Sequence, residues 1–376
     1  MKNPRTLLTY HDLTVEVEES PNQELLLHMH STLMGQPGGL RYHHTSLKNR
    51  MMSGDENYFM YLRKSGKMLG SVGFCGKPSV TDGLKHDSWL IRYFSIKAPM
   101  AVVPKKRKEK ADLKDENKRS TVLGRFIQPI FAEPSQLREG KQDSDQPSII
   151  FAIIDQTNIR SMNFSAQMGL ETVGEMAGFS FSRLSPRKSD RVEQIREADK
   201  EQVLTLLKEY YSSFSLFFTE PVFKNNDYYV IKEDGEVVAG VQFYPVHWKI
   251  ADFGGKFANL AMKWLTKIPW VKKRISPEDL SFLAFDAIYC KYGYESTLYE
   301  LMEGVLERTG TYIAMMMMDE TSPLYTIFRK KQKLGLMHKF MGTYHADIRI
   351  RFINMPEKIR KYFLEHPTYI PTYDNS

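Results

Sequence analysis

One residue whose type could do chemistry is a carboxylate placed inside an apolar segment. Asp286 lies within residues 280–289, which read as a buried strand with no other acidic side chain. A carboxylate there can take a proton from a substrate as a general base. It can equally be a core acid that is paired with a partner. The sequence leaves both roles open.

Basic residues are in excess and unevenly placed. The net charge is +7. One cluster, KKRKEK, spans residues 105–110, and a second comprises Arg329, Lys330, Lys331 and Lys333. This balance suits an anionic ligand such as a nucleotide cofactor, which needs only a few placed charges. It also suits nucleic acid, but no RRM, KH, zinc-finger or helix-turn-helix pattern accompanies it.

The two cysteines, Cys75 and Cys290, are far apart and neither belongs to a CxxC pattern. They therefore predict neither a disulfide scaffold nor a cysteine-based zinc site, and the histidines show no metal-ligand spacing. We expect no metal. Reduced thiols indicate a cytoplasmic protein.

Length and composition are those of a globular protein. Of 376 residues, 42% are hydrophobic and 26% are charged, which excludes wholesale disorder. The length suggests two or three domains. No apolar run approaches the roughly 20 residues of a membrane span, and we expect neither a span nor a signal peptide.

The elements that would position the chemistry recur in two halves. Each half reads as a strand, helices, a hairpin, a strand, a helix, a buried strand, a helix and further strands. Residues 58–74 and 228–243 form hairpins alike in residue type and spacing, with turns at 64–67 and 233–236. The continuous apolar runs 148–154 and 312–318 predict a central strand in each half. An internal duplication accounts for this order.

We therefore predict a mixed α/β fold made of two tandem domains, each with a central mixed sheet flanked by helices. The first spans residues 1–184 and the second residues 190–376, with a C-terminal extension and a boundary within 185–190. Residues 99–118 and 135–147 are so polar that we expect two solvated insertions in the first domain.

At these elements the sequence resembles the GNAT superfamily of N-acetyltransferases. The first hairpin looks like the second and third strands of that family. Residues 158–170, which begin at Asn158 and follow the apolar strand 149–154, are similar to its Asn-x-x-Ala/Ser…Gly-Phe segment. The second half also resembles plant Hookless-type proteins at residues 248–274, 282–293 and 320–324. The resemblance implies the acyl-CoA N-acyltransferase fold and acetyl-CoA, or another acyl-CoA, as cofactor.

The resemblance also implies where the cofactor binds in the first half. In the family, a loop and the following helix N-terminus hold the pyrophosphate with backbone N–H groups. The matching loop begins after a strand that ends at Ile96, and it contains Arg119 and Gly124 at the expected positions. Val122 replaces the middle glycine of the family pattern, and Asn158 would help on the cofactor side. The alternative is that residues 120–131 simply form a core helix.

The corresponding loop of the second half follows a strand that ends at Tyr289. Lys291 could serve a phosphate, Gly293 gives flexibility, and Ser296 or Thr297 could cap the helix. Glu295 counts against a phosphate site there because it adds a negative charge.

The family commonly uses a tyrosine to protonate the departing thiolate, and the match to this residue is imperfect. Ser165 stands at the corresponding position of the first half, and Tyr325 lies on the corresponding helix of the second, at best one turn early. Together with Asp286 as base, these are the catalytic candidates.

The function predicted is therefore acyl transfer, acetyl transfer in particular, from acyl-CoA to an amine of a small molecule or a peptide. The alternative is a degenerate tandem module that binds CoA or a protein partner without catalysis. The sequence predicts no oligomeric state.

Overall fold

Strands and helices alternate along the chain. The structure, a computed structural model, describes residues 4–45, 47–52, 56–96, 122–140, 145–223, 227–265, 267–330 and 333–375. The strands are β1 (Arg5–Tyr10), β2 (Leu13–Glu18), β3 (Leu40–His44), β4 (Asn57–Lys64), β5 (Lys67–Thr81), β6 (Leu84–Ile96), β7 (Ser148–Asp155), β8 (Glu171–Ser182), β9 (Glu193–Gln194), β10 (Tyr228–Glu233), β11 (Glu236–Phe253), β12 (Leu280–Cys290), β13 (Ile313–Asp319) and β14 (Tyr344–Ile353).

Twelve α-helices lie within the same described ranges. They are α1 (Gln23–Ser31), α2 (Leu47–Met52), α3 (Val122–Ala132), α4 (Ile159–Gln167), α5 (Lys200–Tyr210), α6 (Lys256–Leu265), α7 (Pro269–Lys272), α8 (Glu295–Thr309), α9 (Pro323–Phe328), α10 (Leu336–Met341), α11 (Glu357–Glu365) and α12 (Thr372–Asn375). None of them is long and apolar enough to cross a membrane.

The strands form one mixed sheet in the order β1-β2-β4-β5-β6-β7-β14-β8-β13-β12-β11-β10-β9, with β3 paired to the far end of β11. The predicted mixed α/β fold is confirmed. So are the two hairpins: Ser65 and Gly66, and Asp234 and Gly235, all have positive φ. Two such residues in a two-residue turn match the twist of the paired strands.

The expectation of two separate sheets is wrong, because the halves exchange their last strands. β14 pairs antiparallel with β7 along Ser148–Asp155 of the first half. β8 of the first half pairs antiparallel with β13 of the second, and β8 and β14 pair with each other at the centre. The exchange joins both halves through continuous backbone hydrogen bonding. The boundary at 185–190 follows β8 and stays a prediction.

Each half packs one long amphipathic helix on the sheet. In the first half, Ile127, Ile130 and Phe131 of α3 are buried against strand residues such as Phe74 and Ile150. In the second half, α8 does the same with its apolar side chains, Leu298, Leu301, Met302, Val305 and Leu306. Burial of these faces from water is the main stabilising term for such layers.

One predicted insertion needs correction. Within residues 135–147, the described part 135–140 is not simply solvated: Leu137 is buried, and the guanidinium of Arg138 pairs with Glu56 and Asp87. The other predicted insertion, 99–118, and the KKRKEK cluster lie outside the described residues.

Candidate functional site

The sheet opens at two equivalent places, where its two parallel strand pairs diverge. β6 and β7 pair only from Asp87 with Ser148 to Leu90 with Phe151. β12 and β13 pair only at two positions, Leu283 with Ala314 and Ala284 with Met315. Beyond these points each strand stays bonded to its other neighbour. A wedge therefore forms between the carboxyl-terminal parts of each pair, here called the first and the second opening.

A β-bulge lies at the edge of each opening. The β5–β6 register shifts between Ser71 and Gly73, and the β11–β12 register shifts between Gly240 and Gln242. The bulged residues Tyr93 and Ala287 have φ of 53° and 45°. Such backbone is uncommon for residues other than glycine and often marks a functional position. The register makes Arg92 of the first half equivalent to Asp286 of the second.

The second opening is filled by the C-terminal segment of the chain (residues 367–375). The Thr372 hydroxyl donates to the Phe285 carbonyl at 2.9 Å and accepts from the Met317 N–H at 3.0 Å, so it bridges β12 and β13. The Thr368 N–H donates to Asp319 at 3.0 Å, and the Tyr369 hydroxyl accepts from the Ala287 N–H at 2.9 Å. The segment thus completes the hydrogen bonding that the diverging strands leave open.

Asp286 holds this segment in place. Its carboxylate accepts hydrogen bonds from the backbone N–H groups of Thr372 and Tyr373. The side chain is buried, and burial raises the pKa of Asp286 to about 7. The structure therefore gives Asp286 partners, as the core-acid alternative expects, while its proton affinity is in the range that suits a general base at neutral pH.

The C-terminal segment also reaches the bulge of the first half. The Asp374 carboxylate pairs with Lys77 Nζ at 2.5 Å and with Arg92 Nη1 at 3.5 Å. Burial opposes ionisation, but the two cations hold the pKa of Asp374 below its usual value. Arg50 donates to the Tyr373 carbonyl and lies over the Tyr373 ring. The segment therefore links the two halves at the first opening.

A small cavity of about 30 Å³ lies where these groups meet. Its lining includes Asp286, Asp374, Lys77, Tyr244 and Tyr373. A cavity of this size with polar walls has room for one or two water molecules. Asp286 and the first-half cation Lys77 thus face one space.

Replacing Asp374 by alanine is expected to lower the free energy of unfolding by about 3 kcal/mol at neutral pH, since Lys77 and Arg92 would lose their common counterion. Asp374→Asn, which keeps an acceptor, should cost less. Because the folded pKa is depressed, the contribution is present above about pH 4 and is lost as the pH falls further. Urea denaturation across this range measures it. Asp190→Ala, which breaks an exposed pair with Lys188, should leave stability unchanged, and an equal loss in both variants would contradict the assignment.

Four of the five predicted cofactor residues of the first half lie within the described residues, and they belong to three different elements. Val122 and Gly124 occupy the first turn of α3, while Arg119 lies outside the described residues. Ile96 is the last residue of β6 and pairs with Gly70. Asn158 caps α4, since its side chain accepts from the Ser161 N–H at 3.1 Å. The helix expected over residues 120–131 is present from Val122 onward, and its core contacts come from Ile127, Ile130 and Phe131.

The corresponding loop of the second half is occupied by its own side chains. Glu295 accepts from the Gly293 N–H at 3.3 Å, and Lys291 pairs with Glu236 at 2.5 Å. Gly293 has φ of 85°. The predicted cap by Ser296 or Thr297 is wrong, because α8 begins at Glu295 and both residues lie within its first turn. Tyr289 packs edge-on against Tyr210. A phosphate here would have to displace Glu295.

The three catalytic candidates do not meet. The Ser165 hydroxyl is buried and donates to the Met162 carbonyl of its own helix at 2.8 Å. Tyr325 on α9 packs against Phe179, and burial and nearby Glu320 raise its pKa. Of the three candidates, Asp286 alone lines the cavity.

Sequence reasoning missed Arg92, Lys77 and Asp374. Arg92 could have been found, because it is a charged residue inside an apolar strand segment, which is the signal that identified Asp286. Asp374 gives no such signal: it lies near the end of the sequence, outside any apolar strand segment, and its partners are almost 300 residues away.

Comparison of the sequence with protein-family models and with curated proteins finds no match. Comparison of the structure finds N-myristoyltransferase of Saccharomyces cerevisiae with bound myristoyl-CoA, at a TM-score of 0.54 and 12% identity over 93% of this chain and 84% of that one. A second structure of the yeast enzyme, with myristoyl-CoA and inhibitors, gives 0.55 and 12% over 93% and 82%. A GCN5-related N-acetyltransferase from Sphaerobacter thermophilus gives 0.42 and 9% over 79% and 81%. At this identity the yeast structures show the fold alone, and the predicted N-acyltransferase-like fold is confirmed.

Proposed function

We propose that the chain is an acyl-CoA-dependent N-acyltransferase that binds its acyl donor in the first half. The observation that carries the proposal is the asymmetry of the two openings. The C-terminal segment fills the second opening, whereas in the first opening β6 and α4 meet through the stacked rings of Phe94 and Phe164, whose centroids are 4.7 Å apart. Backbone groups of β6 beyond Leu90 can then pair with the amides of a pantetheine arm.

The helix termini support the same half. The N-terminus of α3 presents backbone N–H groups that suit a pyrophosphate, and α3 is packed on the first half's part of the sheet. At the N-terminus of α8, Glu295 already takes the Gly293 N–H. The second half then acts as a structural partner that supplies Asp286 and the C-terminal segment.

The reaction follows from these groups. The amine nitrogen attacks the thioester carbonyl, a C–N bond forms, and the C–S bond breaks. The amine proton passes to Asp286 through water in the cavity, and the thiolate of CoA takes a proton from solvent. A thiol pKa of about 8.5 makes this thiolate a tolerable leaving group without a strong acid. Neither Ser165 nor Tyr325 is needed.

The proposal also concerns which acyl group is transferred and which amine accepts it. The GNAT resemblance favours acetyl-CoA, and the likeness to a structure that holds myristoyl-CoA makes a long acyl chain the comparison to test. Thermal unfolding with CoA, acetyl-CoA and myristoyl-CoA, followed by thiol release with a panel of amines and peptides, tests both. A ligand at a hundred times its Kd adds about 2.7 kcal/mol of stability. Binding without thiol release would favour the alternative, a non-catalytic CoA-binding module.

If Asp286 is the base, the transfer rate should rise with pH around a midpoint of about 7, because only the ionised carboxylate accepts the proton. Asp286→Asn should remove this rise and lower the rate by about 10²–10⁴-fold. A pH–rate profile measures both.

Asp319→Asn is the matched control. Asp319 is another buried strand carboxylate that holds the C-terminal segment, through Thr368, but it does not line the cavity. It should keep the pH dependence. The same loss in both variants would mean that Asp286 acts only as an anchor for the segment.

A further inference from the structure

An apolar and basic surface lies on the second half, in a segment of the sequence that is separate from both openings. It comprises four exposed side chains of α6, α7 and the turn between them, and it is here called the α6–α7 patch: Leu260, Trp264, Ile268 and Trp270, which are 56%, 63%, 49% and 45% exposed. Single exposed apolar side chains are ordinary, but four within eleven residues mark an interaction surface.

The tryptophans show how unusual this surface is within the chain. Of the four in the sequence, Trp89 and Trp248 are 1% and 5% exposed and belong to the core, whereas Trp264 and Trp270 both point outward in the patch. Tryptophan carries a large apolar ring with one polar N–H. It is therefore enriched where one end of a side chain is apolar and the other is wet, as at a membrane interface.

The patch is held firmly by the core beneath it. Met262 of α6, Val271 of α7 and Ile275 are 2%, 4% and 1% exposed, and Met262 and Ile275 pack with the β11 cluster. The Arg274 guanidinium lies 4.2 Å from the Trp270 ring and donates to the Leu184 carbonyl at 2.7 Å. Buried side chains therefore already attach these helices to the core, and the exposed apolar side chains are additional to them. A surface helix normally has a polar outer face, and here that face is apolar.

Within the segment that carries the patch, the charged residues are of one sign. Residues 254–277 contain no Asp or Glu and six basic residues: Lys256, Lys263, Lys267, Lys272, Lys273 and Arg274. Lys263, Lys267, Lys272 and Lys273 are exposed, and Lys267 Nζ lies 4.3 Å from the Trp264 ring. A partner must therefore be anionic as well as apolar.

We propose that the α6–α7 patch binds the surface of an anionic lipid bilayer. The tryptophan rings would enter the headgroup level, Leu260 and Ile268 would contact acyl chains, and the lysines would lie against the phosphates. Aliphatic side chains contribute nothing to base stacking, so Leu260 and Ile268 would have no binding partner on a nucleic acid. Lipid satisfies the apolar and the charged components together.

The test is co-sedimentation of the full chain with phosphatidylcholine vesicles, with and without added phosphatidylserine. We expect binding to the phosphatidylserine vesicles, weakening as salt rises, together with a blue shift of tryptophan fluorescence. Trp264→Ser with Trp270→Ser should weaken binding at least tenfold, on the order expected for two apolar rings, and leave thermal unfolding unchanged because both rings are exposed. Lys272→Glu with Lys273→Glu should weaken it by about fivefold for each cation lost.

Two control variants match these changes elsewhere on the chain. Tyr292→Ser removes a 97% exposed aromatic ring, and Lys85→Glu with Lys208→Glu reverses two exposed lysines. Both should bind as the unmodified chain does. Equal binding to the two kinds of vesicle, unchanged binding of the tryptophan variant, or loss in the controls would overturn the proposal. Binding of single-stranded RNA with no binding of vesicles would also overturn it and assign the patch to nucleic acid.

Discussion

Removal of residues 367–376 is expected to unfold the chain at ambient temperature. The C-terminal segment buries Ile370, whose side chain is 1% exposed, and its N–H groups pair with Asp286 and Asp319. Loss of a buried aliphatic side chain costs about 2–5 kcal/mol, and each buried carboxylate left without its donors costs about 1–3 kcal/mol more. The sum is comparable with the total stability of a typical domain, about 5–15 kcal/mol.

Urea denaturation of the purified chain, or its failure to accumulate in soluble form, measures this loss. The matched control removes residues 375–376 only and keeps Asp374 with its two cations. The variant with this shorter deletion should have the same free energy of unfolding as the full chain. A stable protein after the longer deletion would show that the second opening closes without the segment, and that the segment is an addition to a fold complete by itself.

Local signals in the sequence were sufficient for most individual elements. The run 148–154 predicted β7 because a strand buried on both faces needs a continuous apolar sequence. Glycines at 66 and 235 predicted two hairpins, and both have positive φ in the structure. Each of these features is decided within a few residues, so each can be read from the letters alone.

Partner choice between distant strands could not be predicted in this way. β8 and β14 are both long strands with buried central residues, and neither sequence indicates with which half of the chain the strand pairs. β3 reads as a polar stretch, yet Tyr42 stacks on Trp248 of β11 at 3.7 Å. Such pairings depend on residues about 200 positions apart, and only the assembled sheet brings them together.

In the candidate site, too, the local feature could be predicted from the sequence and the distant contacts could not. Asp286 stood out because a charge in an apolar strand requires an explanation, and the structure supplies partners for it from the end of the chain. The C-terminal segment was read only as an extension, since its threonines look like surface residues. Thr368 and Thr372 are buried because distant partners satisfy their polar atoms. The Thr372 hydroxyl pairs with backbone groups of β12 and β13, whereas Thr368 pairs with the Asp319 carboxylate and the Ser215 hydroxyl. The asymmetry between the two openings, on which the proposed function rests, is therefore a property of the fold and not of any motif.

Gly124→Glu is expected to abolish CoA binding in the proposed acyltransferase. Gly124 is the third residue of α3, so a glutamate there places bulk and negative charge where the helix N-terminus would hold the pyrophosphate. The change should not weaken the fold, because an acidic side chain in the first turn favours the helix dipole. Isothermal titration with CoA should show an affinity reduced at least a hundredfold, with an unchanged unfolding midpoint.

Ser296→Glu makes the equivalent change in the second half and separates the two helix termini. Ser296 is exposed in the first turn of α8, so a glutamate is tolerated there as well. Because Glu295 already accepts from the Gly293 N–H, this terminus is not expected to hold phosphate, and CoA affinity should stay within about twofold of the original. If Ser296→Glu abolished binding and Gly124→Glu did not, the cofactor would belong to the second half, and the C-terminal segment would have to leave its opening for the pantetheine arm to enter.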